Sequence, residues 1–78
     1  MLLKKAILDF PSDVWLEVSE QLSDDYTVYV GRAPLTMITG AVLNYEVLKI
    51  GKYYESRGLK FQRVLVRWRK SKKNKKEQ

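Results

Sequence analysis

The chain has no cysteine and no histidine, and only two prolines and four glycines among 78 residues. Without these ligands and nucleophiles there is no disulfide, no thiolate or imidazole zinc site, and no Ser-His-Asp or Cys-His catalysis. No long hydrophobic run is present either. The longest weakly charged stretch, Ala33 to Val47, contains Glu46 and is too short to span a bilayer. Met1-Leu-Leu-Lys-Lys places apolar residues ahead of its charges, the reverse of a signal peptide. No membrane partner is therefore expected, and the missing cysteine fits a cytoplasmic location.

What is present is positive charge, unevenly placed. The chain carries 15 Lys and Arg against 9 Asp and Glu, a net +6. From Met1 to Leu48 there are three basic and seven acidic residues; from Lys49 onward there are twelve basic and two acidic. Such asymmetry points to a polyanionic partner, and DNA or RNA is the expected one. The length allows one small domain, expected over residues 1–69, followed by a lysine-rich tail at 70–78 that has no apolar residue to bury. A core of this size needs support, and with disulfides and zinc excluded a homodimer is the expected source.

Along the chain, Leu2 to Phe10 reads as a strand closed by Pro11, with Leu2, Ala6, Leu8 and Phe10 on one face. Ser12 is an N-cap candidate for an amphipathic helix whose stripe is Val14, Val18 and Leu22. Tyr26-Thr-Val-Tyr-Val predicts a second strand. From Leu35 to Arg57 a helix is expected, ended by Gly58 at a left-handed position, with two strands turning near Gly40 and Gly51 as the competing reading. Lys60 to Lys70 alternates cleanly as a last strand. The order β-α-β-α-β gives an α/β two-layer sandwich, two helices on one face of a small sheet.

The residues that carry chemistry cluster late. Arg63, Arg67 and Arg69 fall on one side of the last strand as a comb of guanidinium groups suited to bidentate phosphate contacts, with Phe61 on the same side as a base-stacking candidate. Lys60 and Arg32 are flanking candidates. Lys70, Lys72, Lys73 and the lysines after them supply attraction with little sequence information. The opposing reading is a solvent-facing strand whose arginines pair with carboxylates of the same protein. Gly31-Arg32-Ala33, between a strand and an expected helix, is a candidate phosphate-holding turn. Asp24 and Asp25 are the densest acids, but they sit in a turn, so metal-dependent phosphoryl chemistry is not expected; neither an enzyme nor a cofactor is indicated.

Tyr26-Thr-Val-Tyr-Val-Gly-Arg-Ala, followed by the expected long helix and a strand, resembles the Alba family of small archaeal nucleic-acid-binding proteins, whose second strand also ends in Gly-Arg-Ala. The resemblance implies the Alba fold, a homodimer, and Arg32 on a DNA- or RNA-binding surface. Two features depart from that family: Phe10-Pro-Ser-Asp replaces its basic loop after the first strand, and a single strand and lysine tail replace its terminal hairpin. The leading expectation is a non-catalytic nucleic-acid-binding protein. The alternative is a protein-interaction module or small regulator whose basic end grips an acidic protein.

Overall fold

A computed structural model describes residues 1–68. It contains a four-stranded mixed sheet: β1 (Trp15–Ser23), β2 (Tyr26–Pro34), β3 (Glu46–Ser56) and β4 (Leu59–Arg67), in the order β2-β1-β4-β3. The outer pairs are antiparallel hairpins and the central β1–β4 pair is parallel. One four-residue helix, α1 (Leu3–Ala6), runs into a 3-10 turn at Ile7–Asp9, and two further 3-10 turns lie at Leu35–Met37 and Gly40–Asn44. The expected β-α-β-α-β sandwich, and with it the Alba arrangement of two helices over a sheet, is therefore replaced by two hairpins joined through their inner strands.

Each difference has a local cause. The first segment is helical because Leu3, Ala6, Ile7 and Phe10 follow the helical spacing i, i+3, i+4, i+7, and all four pack on the core side. Leu8, which the strand reading placed inward, is exposed. The extended residue before α1 is pinned by Val47 N–H to Met1 O (2.8 Å), and Leu3 N–H donates to Tyr45 O (2.9 Å). In the next segment period two wins over period 3.6. Val14, Leu16 and Val18 are buried while Trp15, Glu17 and Ser19 face the other way, so the stretch is β1 rather than a helix.

The region expected as one long helix breaks at Gly40, whose φ is +79°, and its second half becomes β3. Gly58 does take a left-handed conformation (φ +81°), but Arg57 precedes it at φ +52°. Two consecutive positive φ angles between antiparallel strands make a tight type I′ hairpin turn, not a helix cap. Gly51, offered by the competing reading as a turn, lies inside β3.

The core is small and one-sided. Leu3 and Ala6 pack against Leu16, Val18, Val64 and Val66 from the two central strands, with Ile7, Phe10, Leu35, Ile38, Val42, Tyr45 and Val47 around them. Burial of each large aliphatic contributes about 1.5–3 kcal/mol. The helix and the 3-10 turns thus cover one face of the sheet, and the other carries no covering element among the described residues.

Candidate functional site

The uncovered face can be read as rows across the four strands, since paired residues stand side by side. The first row holds Pro34, Trp15, Phe61 and Tyr54; the second holds Arg32, Glu17 and Arg63; the third holds Tyr29, Ser19, Leu65 and Lys49. Strict alternation cannot produce these rows. Tyr29 and Arg32 are an odd number of residues apart, as are Lys49 and Tyr54, and odd separations put side chains on opposite faces. Register shifts opposite Val18/Ser19 and between Ile50 and Tyr53 insert one extra residue in each outer strand and restore the match.

The first two rows interlock as a ladder of flat groups. Phe61 stacks on Tyr54 (centroids 5.0 Å apart, planes at 22°) and meets Trp15 edge-on at 6.1 Å. The Arg32 guanidinium carbon lies 4.7 Å from the Phe61 centroid, and that of Arg63 lies 5.2 Å from Tyr54. Phe61 is consequently 2% exposed although it points away from the core. Its ring is already covered by Tyr54, Trp15 and Arg32 and is not open to a base. The exposed aromatic side chains are Tyr26 and Tyr29 of β2, Trp68 beyond the end of β4, and Tyr53, which pairs with Gln62 and so points to the covered side.

Glu17 anchors the centre. Its Oε1 accepts from the Tyr54 hydroxyl at 2.7 Å and from Arg63 Nε at 3.0 Å. The Tyr54 hydrogen bond, with the Arg63 guanidinium behind it, holds the carboxyl below its ordinary value although burial pushes the other way. The same contact raises the pKa of Arg63, and the Tyr29 hydroxyl is raised by burial and then by Glu17. Glu17 is 12% exposed at its side chain and Arg63 58%, so the carboxylate sits beneath the guanidinium.

The sequence candidates therefore separate. Arg32 and Arg63 share the uncovered face, and among the described residues Arg32 has no carboxylate at ion-pair distance. Arg67 lies further along the same side and donates to Glu46 at 3.0 Å. Lys60 falls on the opposite parity and bonds Asp13 at 3.1 Å, which raises its pKa. The pairing of comb arginines with the protein's own carboxylates, the opposing reading of the sequence, is thus present at Arg63 and Arg67. Gly31-Arg32-Ala33 lies within β2, so no strand-to-helix anion turn exists there. Arg69, Lys70, Lys72 and Lys73, with the rest of the tail, lie outside the described residues.

Sequence reasoning missed a second group. Ser19, Thr27, Lys49, Gly51, Lys52, Arg63 and Leu65 line a shallow hollow of about 350 Å3 on the uncovered face. Lys49 and Lys52 were hidden by the helix reading of Leu35–Arg57. The signal that exposes them is Arg57-Gly58 read as a two-residue hairpin turn, which makes the β-branched and aromatic residues before it a strand.

Charge is also redistributed by folding. Residues 1–68 hold nine basic and eight acidic side chains; residues 69–78 hold six basic and one acidic. The described residues are thus nearly neutral taken together. Among the described residues no group of three or more His, Cys, Asp or Glu is placed to hold a metal, and no helix is long and apolar enough to cross a membrane. Compared with known proteins, the chain matches no family model, no curated protein and no solved structure.

Proposed function

We propose that the chain is a non-catalytic binder of DNA or RNA that lays a nucleic-acid strand across the uncovered sheet face, while residues 69–78 supply long-range attraction. The observation that carries this reading is the set of cations on that face, Arg32, Lys49 and Lys52, none of which has a carboxylate at ion-pair distance among the described residues. A guanidinium stacked on Phe61 keeps its N–H edge outward, the geometry for bidentate contact with a phosphate. Tyr29 offers an exposed ring beside these cations, and stacking on such a ring is tolerant of base sequence.

The test is fluorescence anisotropy with labelled single-stranded and duplex oligonucleotides across salt. Neutralising about six phosphates costs roughly three decades of affinity between about 50 and 200 mM salt. Absence of binding at low salt contradicts the reading.

A second reading, a protein-interaction module, is favoured by an apolar hollow of about 210 Å3 under the β2 edge, lined by Leu16, Val18, Val30, Ile38 and Val42 among others. The proposed homodimer belongs here too, since Val30 and Tyr29 stand exposed on an outer strand. Sedimentation velocity of wild type and Val30→Asp reads it: a dimer that the substitution dissociates supports self-association, and a monomeric wild type rejects it.

A further inference from the structure

We infer that the hollow on the uncovered face is a phosphate subsite, in which Lys49, Lys52 and Arg63 supply charge and the Ser19 and Thr27 hydroxyls supply neutral donors. The inference rests on the nucleic-acid reading for the source of the phosphate, a polynucleotide backbone, but the chemistry of the hollow stands apart from it.

Three features make this more than a patch of lysines. The first is room. The second row of the face would carry a side chain from β3 opposite Arg63, and Gly51 leaves that place empty; a Cβ there would sit 3.3 Å from Arg63 Cβ. The second is the bulge. The extra residue between Ile50 and Tyr53 sets both Gly51 and Lys52 against Arg63, so Lys52 lines the same hollow as Lys49, three positions earlier. Regular alternation would have sent those two lysines to opposite faces. The Gln62 amide fastens the bulge, donating to Gly51 O at 2.9 Å and to Arg63 O at 3.1 Å.

The third is the state of Arg63. Glu17 accepts from its Nε at 3.0 Å, and the guanidinium lies against the Tyr54 ring, 5.2 Å from its centroid. These contacts orient the guanidinium while the side chain stays 58% exposed, so its outer end meets solvent. That end can donate to one phosphate while the two ammonium groups neutralise it, and Ser19, next to Leu65 in the third row, reaches the same hollow from β1. Glu17 thereby acts as a positioning residue.

The experiment compares full-length wild type with Lys49→Gln/Lys52→Gln and with Lys4→Gln/Lys5→Gln. The second pair removes the same charge from two exposed residues of α1, on the covered side of the sheet. Each protein is titrated with a short fluorescein-labelled oligodeoxythymidine at several salt concentrations, and separately with inorganic phosphate while amide shifts are followed by 15N NMR. The expected result is roughly tenfold weaker oligonucleotide binding for the Lys49/Lys52 pair alone. Its log-log salt slope should also be shallower by about 0.7, the value for one single-strand phosphate. Phosphate should shift the Ser19, Thr27 and Gly51 amides in wild type and not in that variant. Equal losses in the two variants would show a net-charge effect and overturn the subsite, as would unchanged binding and no phosphate shifts. If phosphate shifts the hollow but wild type fails to bind the oligonucleotide, the subsite stands and the polynucleotide reading falls.

Discussion

Replacing Phe61 with Leu probes the ladder that organises the uncovered face. The substitution keeps an apolar side chain of similar reach and removes only the ring. Two aromatic pairings are lost, with Tyr54 at 5.0 Å and Trp15 at 6.1 Å, and one cation–π contact with Arg32 at 4.7 Å. At about 0.5–1.5 kcal/mol for each ring pair and about 0.5–1 kcal/mol for an exposed cation–π contact, the expected loss is about 1.5–4 kcal/mol. A chain of this length has a total stability of about 4–12 kcal/mol, so the change is large against the whole. Urea unfolding followed by tryptophan fluorescence measures it, since Trp15 stands edge-on to the missing ring. The urea midpoint should fall with an unchanged m-value. A double-mutant cycle with Tyr54→Leu should return a coupling of about 0.5–1.5 kcal/mol for the stacked pair. If Phe61→Leu unfolds at the wild-type midpoint, the rings contribute only buried area and the ladder has no energetic role.

Further outcomes follow from the same geometry. Leu16→Ala, at a fully buried position in the central strand, should cost about 2–5 kcal/mol by urea unfolding. Because the folded state holds the Glu17 carboxyl below its ordinary value, the stability it contributes is complete above the unfolded value near 4.5 and is lost as pH falls through the lower folded value. Acid unfolding of Glu17→Gln should lack that component; an acid limb identical to wild type would contradict it. At the β3–β4 turn, Arg57→Asn should raise stability by about 0.5 kcal/mol while Gly58→Ala lowers it by about 1–2 kcal/mol, both read from thermal midpoints, because both positions have positive φ. Neutralising the tail by exchanging Lys70, Lys72, Lys73, Lys75 and Lys76 for Gln should flatten the salt dependence of oligonucleotide binding without moving the urea midpoint.

The sequence was legible where one period dominated. Val64, Val66 and the arginines of β4 alternate without ambiguity, and the β-branched and aromatic run at Tyr26 marks β2 equally well. At Val14 to Leu22 both periods fit. Val14 and Val18 serve a helix or a strand, and only the burial of Leu16, which the helical stripe omitted, distinguishes them. In Leu2 to Phe10 the informative set was Leu3, Ala6, Ile7 and Phe10, four positions that make sense only when a sheet lies beneath them. For Leu35 to Arg57 the competing reading of two strands came nearer, since the second half is β3, but Gly51 lies inside that strand and not at a turn.

The candidate site was legible in residue type and not in environment. Arg32, Phe61 and Arg63 do come together, but Phe61 closes the stack instead of offering a free ring, and Arg63 is held by Glu17. Charge asymmetry along the chain gave no warning of this. The acidic first half supplies β1 and the basic second half supplies β4, and their parallel pairing brings Glu17 beside Arg63 and Asp13 near Lys60. A pairing of strands so far apart in sequence cannot be read from local pattern. Folding thus consumes most of the charge contrast internally, and the excess is concentrated in the last ten residues.

The most direct measurement is a 15N NMR titration of the full chain with a single-stranded oligonucleotide at low salt, mapping amide shifts onto the two faces of the sheet. The account predicts shifts at Ser19, Thr27, Tyr29, Arg32, Lys49, Gly51 and Arg63, with Leu3, Ala6 and Ile38 on the covered side unmoved. Shifts confined to the covered side and the β2 edge, or none at all, would contradict it.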